Sequence, residues 1–204
     1  MRGVAFLKAA LAALLCAAAL AARAEGIEVR NAQLLATEEG VALNADFVFD
    51  FAPRLAEMVA NGVPLYFVVE FELTRPRWWW FDEKAVAKRI QQRLSYHAVS
   101  RHYRLSTGLL QQQFATLEEA LHVLRGVRNW VVIDRSASLA DANYEAALRM
   151  RLDTTLLPKP FQLSALTSRE MNLESPWRRF AFRPPPAPPP APAETRDPKE
   201  ADTK

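Results

Sequence analysis

The chain has 204 residues, half of them apolar, which excludes a wholly disordered polymer and suits one domain with tails. Its net charge of +3 makes no case for a nucleic-acid binder. Arg2, Lys8 and Arg23 sit in a segment free of acidic residues, and without it the chain carries 23 basic against 23 acidic groups.

Residues 1–24 have the three parts of a cleavable secretory signal. Arg2 and Lys8 give a positive start, and Ala9 to Ala22 is an uncharged, Ala- and Leu-rich run. Ala22-Arg23-Ala24 then offers small side chains for cleavage after Ala24. The run is short for a permanent anchor, which needs roughly 20 apolar residues. Lipoprotein processing at Cys16 is disfavoured, because Leu15 stands where a small residue is needed. Cleavage removes the only cysteine, so packing alone must hold the mature chain. The expectation is a soluble periplasmic protein without a transmembrane segment.

From 25 to 183 the dominant signal has period two. The alternate residues of Val41 to Phe51, Val63 to Leu73 and Tyr144 to Leu152 are apolar, and their complements carry Asn44, Asp46, Glu70, Glu72, Arg149 and Arg151. Each predicts a strand with one buried and one wet face, as antiparallel sheets allow. Further strands are predicted over Ile27 to Ala36, Leu94 to Ser106, Asn129 to Arg135, Phe161 to Thr167 and Trp177 to Phe182. Glu83 to Leu94 fits a helical stripe through Val86, Ile90 and Leu94, but a strand is favoured. A helix starts at Pro53, buries Leu55, Met58 and Val59, and stops at Asn61-Gly62. A second opens with the capping box Thr116-Leu117-Glu118-Glu119, with Leu117, Ala120, Leu121 and Leu124 as its buried stripe.

Seven or eight strands with two short helices predict a mainly β fold, an antiparallel immunoglobulin-like β-sandwich. From Pro184 the composition changes: eight of the fourteen prolines follow, with no aromatic or large aliphatic residue. Residues 184–204 are therefore expected to be a disordered proline-rich tail, solvated or docked in a partner's aromatic groove. The domains are then 1–24, 25–183 and 184–204.

Four segments, Arg75 to Glu83, Leu94 to Ser106, Phe114 to Leu121 and Leu157 to Gln162, together resemble the proteobacterial domain of unknown function 4390 family. The resemblance covers roughly residues 27–182. It implies a signal segment, proline-rich character in some members, and an association with a two-component sensor kinase. It implies no catalytic residue.

Chemistry-bearing residues are sparse. His97 and His102, five apart on an unbroken strand, would face opposite sides, and His122 has no His or Cys at metal-ligand spacing. No metal, cofactor or catalytic site is expected. A hydrolase with a dispersed triad stays as an alternative, since triads are defined by geometry. Charge is segregated: residues 25–74 carry nine acidic and two basic groups, residues 75–104 eight basic and two acidic. Either a basic groove takes an anionic ligand, or Glu70 and Glu72 pair across strands with Lys88 and its basic neighbours; pairing is favoured. Trp78, Trp79, Trp80 and Phe81 cannot all face one core, and exposed tryptophan marks contact surfaces. With Arg75 and Arg77 they form the candidate binding site for another envelope protein or surface component.

Overall fold

The computed structural model describes residues 26–76, 83–137, 139–168 and 171–184. In chain order these form β1 (Glu28–Thr37), β2 (Gly40–Val48), α1 (Pro53–Ala60), β3 (Leu65–Arg75), β4 (Glu83–His97), β5 (His102–Thr107) and β6 (Leu110–Phe114). There follow α2 (Leu117–Leu124), β7 (Gly126–Asp134), β8 (Tyr144–Leu152), a 3-10 turn (Thr154–Leu156), α3 (Lys159–Thr167) and β9 (Arg178–Phe182). The fold is mainly β. One antiparallel sheet has three strands in the order β1-β2-β7, the other six in the order β6-β5-β4-β3-β8-β9.

The period-two segments build the core. Leu65, Phe67, Val69, Phe71 and Leu73 of β3, with Ala146, Leu148 and Met150 of β8, are fully buried. They join Leu43, Ala45 and Phe47 of the smaller sheet in one apolar cluster. Burial falls away toward one edge. On the inner face of β4, Val86, Lys88 and Ile90 are only half-buried, and Leu110 of β6 is 61% exposed. Three strands cannot cover six, so the inner side of β4-β5-β6 stays partly open.

Both anticipated helices are present. Pro53 occupies the first turn of α1, which buries Leu55, Met58 and Val59. Its stop is made by Gly62, whose φ of 83° suits glycine and whose amide donates to the Val59 carbonyl at 2.9 Å. At α2 the Glu119 amide donates to Thr116 Oγ1 at 3.2 Å, while the Thr116 amide donates to Glu119 Oε2 at 3.3 Å. Glu83–His97 is a strand, as favoured.

Three expectations are corrected. Phe161 to Thr167 is not a strand but the body of α3. Pro160 is accommodated in its first turn, where no amide hydrogen is needed, and the Phe161 amide donates to the Pro158 carbonyl at 2.9 Å. Leu94 to Ser106 is not one strand: the chain turns at 98–101, with Arg101 at a φ of 55°, and returns as β5. A short strand, β6, stands where none was expected.

Candidate binding site

Arg75 is the last residue of β3 and lies opposite Glu83, the first residue of β4. Its Nη2 sits 3.0 Å from Glu83 Oε2, so this guanidinium closes the end of the strand pair. The other predicted site residues, Arg77, Trp78, Trp79, Trp80 and Phe81, lie outside the described residues. They belong to the segment that joins two adjacent antiparallel strand ends.

Among the described residues one ion pair joins the acidic block to the basic block, between Glu72 and a basic β4 residue as expected; Glu70 and Lys88 find partners elsewhere. Lys84 Nζ donates to Glu72 Oε1 at 2.7 Å. Glu70 takes its partners from β8 instead of β4: Arg149 Nε at 2.5 Å and Arg151 Nε at 3.6 Å. Arg149 also reaches Glu174 at 2.7 Å and lies 4.5 Å over the Trp177 ring. Lys88 pairs with neither glutamate. Register puts it opposite Phe71 on the inner face, and it crosses to β7, where Nζ meets Asp134 Oδ2 at 2.7 Å.

These environments separate two otherwise similar substitutions. The Glu70 side chain is 19% exposed and serves two arginines on one strand face. Glu70→Gln leaves those arginines facing each other and is expected to cost about 1–2 kcal/mol, discounted for partial exposure. Glu72 has one partner, Lys84, which is 53% exposed, and Glu72→Gln should change stability by less than ~0.5 kcal/mol. Urea unfolding of both variants checks the contrast.

The histidines do not face opposite sides. The turn at 98–101 brings His97 and His102 directly opposite each other. His97 Nδ1 accepts from the Ser100 amide at 3.2 Å and lies 2.9 Å from Ser100 Oγ, while His102 Nδ1 bonds the Ser100 carbonyl. Both side chains tie the turn. His122 is exposed on α2. Among the described residues no three His, Cys, Asp or Glu side chains gather as a metal site would require.

The arrangement best suited to hold a ligand was not anticipated. Where the small sheet ends, a cleft of about 380 Å³ opens between β4-β5-β6 and β7, a size within the range of small-molecule sites. Ile90, Leu105, Leu110, Val127 and Trp130 give it apolar walls. Gln92 points inward between Ile90 and Leu94, is 4% exposed, and its buried Oε1 has no hydrogen-bond partner among the described residues. An unsatisfied buried acceptor costs roughly 1–3 kcal/mol. Arg128 also lines the cleft, but its guanidinium is engaged by the Ala45 carbonyl at 2.7 Å and by Asp46. The chemistry the lining offers is chiefly apolar contact, with Thr107 and Gln112 as polar points. A signal was present in the sequence: Gln92 shares the parity of Ile90 and Leu94, a polar residue on an apolar strand face.

Among the described residues no helix is long and apolar enough to cross a membrane. Comparison with curated proteins and with solved structures gives no match. One family model matches, described as "Domain of unknown function (DUF4390)", and it spans residues 24–181. That span is most of the chain and takes in every strand of both sheets but the last residue of β9, so the chain belongs to the domain of unknown function 4390 family.

Proposed function

We propose that this chain is an exported, non-catalytic β-sandwich that binds another component of the cell envelope. Export rests on the signal-like segment 1–24, which supports a periplasmic mature chain. The immunoglobulin-like reading is supported by strand order. Taking β1, β2 and β7 as strands A, B and E, the run β4-β3-β8-β9 follows the order C′-C-F-G. β6 departs from that scheme by joining the larger sheet, on the side where the cleft opens.

The single observation that carries the binding reading is the apolar cleft left open where the smaller sheet ends, with Gln92 in its lining. Ile90, Leu105, Leu110, Val127 and Trp130 make the lining chiefly apolar, which suits holding a molecule. A second contact surface rests on the sequence, where Trp78 to Phe81 follow Arg75 and Arg77.

Photocrosslinking in living cells separates the two surfaces. A probe at Thr107, on the cleft wall, and a probe at Phe81 are each expected to capture an envelope component, a two-component sensor kinase being one partner of the right class. Trp79→Ala combined with Trp80→Ala should weaken capture at Phe81 several-fold while leaving the thermal melt largely unchanged. Collapse of the fold in that double variant would make the aromatic run core. Failure of both probes to capture anything would remove the binding reading.

A further inference from the structure

The two sheets present four outer strands, and their edges differ in one respect that bears on association. An unpaired edge offers a row of amide and carbonyl groups to any other strand, and proteins blunt such edges with charge, proline or bulges. β1 carries Glu28 and Arg30 and a register shift between Val29 and Asn31. β7 has two register shifts against β2, and Lys88 donates to its Val131 carbonyl at 3.4 Å. β9 begins with Arg178 and Arg179. β6 has none of these devices. Its sequence is Leu-Gln-Gln-Gln-Phe, it pairs with β5 without a register shift, and no charged residue occurs from Leu105 to Leu117.

The hairpin also fixes which backbone groups of β6 face outward. Gly108 and Leu109 form a two-residue turn, with Gly108 at a φ of 57°, as a type II′ turn requires. The closing pair Thr107 and Leu110 therefore exchanges hydrogen bonds, and the alternation repeats at Leu105 with Gln112 and at Tyr103 with Phe114. The amides and carbonyls of Gln111 and Gln113 then point away from β5, and among the described residues no strand lies on that side.

We infer that β6 is a self-association edge, and that its occupant is β6 of a second copy of this chain, antiparallel, with the two-fold axis at Gln112. The strand is chemically palindromic about that residue. Antiparallel pairing sets Gln111 against Gln113 of the second copy and the reverse, so all four outward groups of each strand meet partners. It sets Leu110, 61% exposed in the single chain, against Phe114 of the second copy. Glutamine meets glutamine on the outer face with no like charge across the axis. A charged or asymmetric edge would favour a different strand; this one is complementary to itself.

The association also bears on the cleft. A two-fold axis normal to the sheet keeps both inner faces on the same side. Gln112, which lines the cleft, then lies beside its counterpart, Leu110 lies beside Phe114 of the second copy, and the two clefts share a continuous floor.

The test uses the full chain carrying Cys16→Ser. Sedimentation equilibrium is expected to give twice the chain mass, and Gln112→Lys, which sets two ammonium groups against each other at an exposed position, should return it to one. Gln112→Cys should form an intermolecular disulfide under mild oxidation, because its counterpart lies directly across the axis. Gln111→Cys should not, since its counterpart is two residues away along the partner strand. If Gln112→Lys fails to fold, the cysteine pair decides. A single chain at every concentration overturns the inference, as does a double mass that Gln112→Cys fails to lock. Capture of a different protein at position 112 by a single chain would assign the edge to a foreign strand instead.

Discussion

Gly40→Ala is expected to lower stability by at least about 3 kcal/mol, more than any other glycine substitution in the described chain. Gly40 opens β2 after the β1–β2 turn, with a φ of 141°. A Cβ added there would stand 2.1 Å from the Ile133 carbonyl oxygen and 2.8 Å from the Arg135 amide nitrogen, both backbone atoms of β7 or its end. Backbone cannot swing aside as a flexible side chain does. The Arg135 amide donates to the Glu39 carbonyl at 2.9 Å, so the turn and the end of β7 are clamped together at this point. Alanine must push β7 off β2, in the sheet that forms one wall of the cleft. Gly62 and Gly108 also have positive φ, but nothing lies within 4 Å of a Cβ built on either. Their alanine variants are expected to lose only about 1–2 kcal/mol from backbone strain. Urea unfolding of the three variants isolates the clash from the strain. A Gly40→Ala loss equal to that of Gly62→Ala would mean that β7 does not pack where the strand order puts it.

The layered core was legible in the sequence because period two survives wherever one face is dry and the other wet. Val63 to Leu73 kept its alternation against the acidic residues Glu70 and Glu72, and β3 follows it closely. Legibility failed where that contrast is missing. The edge strand Leu110–Phe114 has three exposed glutamines and no buried neighbour on its outer side, so nothing in its composition alternates. The turn at 98–101 contains no glycine, proline or asparagine; Arg101 takes the left-handed conformation, and the side chains of His97 and His102 hold it through Ser100. At Phe161 to Thr167 a short apolar run was compatible with either period, and Pro160 reads as a strand edge as easily as a first helical turn.

The charge pattern was legible as segregation but not as pairing. Assigning Lys88 to Glu70 or Glu72 required the parity of β4 relative to β3, and the register put Lys88 inward opposite Phe71. The cleft was harder still. Its existence depends on how many strands each sheet has and where the smaller one stops, which local periodicity does not encode. What the sequence did carry was Gln92 at an inward position. The aromatic run stood out for the opposite reason: it is conspicuous in composition, and it lies outside the described residues.

Phe67→Ala is expected to cost about 3–5 kcal/mol, because it removes a ring that connects the two sheets. Phe67 is fully buried on β3, a central strand of the larger sheet, between Gln92 of β4 and Leu152 of β8. Its ring stacks on Phe49, just past β2, with centroids 5.8 Å apart and planes 22° from parallel. Phe49 in turn lies 5.2 Å beneath the Arg125 guanidinium, whose Nη2 donates to the Phe49 carbonyl at 3.1 Å. The Arg125 carbonyl accepts from the Phe47 amide at 2.8 Å, so the end of α2, the end of β2 and the first residues of β3 meet at one place. Truncation at Phe67 opens a void in that junction and removes the face on which Phe49 rests. Phe67→Leu keeps most of the volume and should cost only about 1–2 kcal/mol. The neighbouring residue gives the control. Tyr66 is one position away on the outer face, half-buried, with Arg93 5.9 Å over its ring, and Tyr66→Ala should cost about 1 kcal/mol. Adjacent aromatic truncations that differ by several-fold in cost are what a pleated strand with one dry face demands. A larger loss at Tyr66 than at Phe67 would turn β3 over, and with it the inward direction of Gln92 that the binding reading requires.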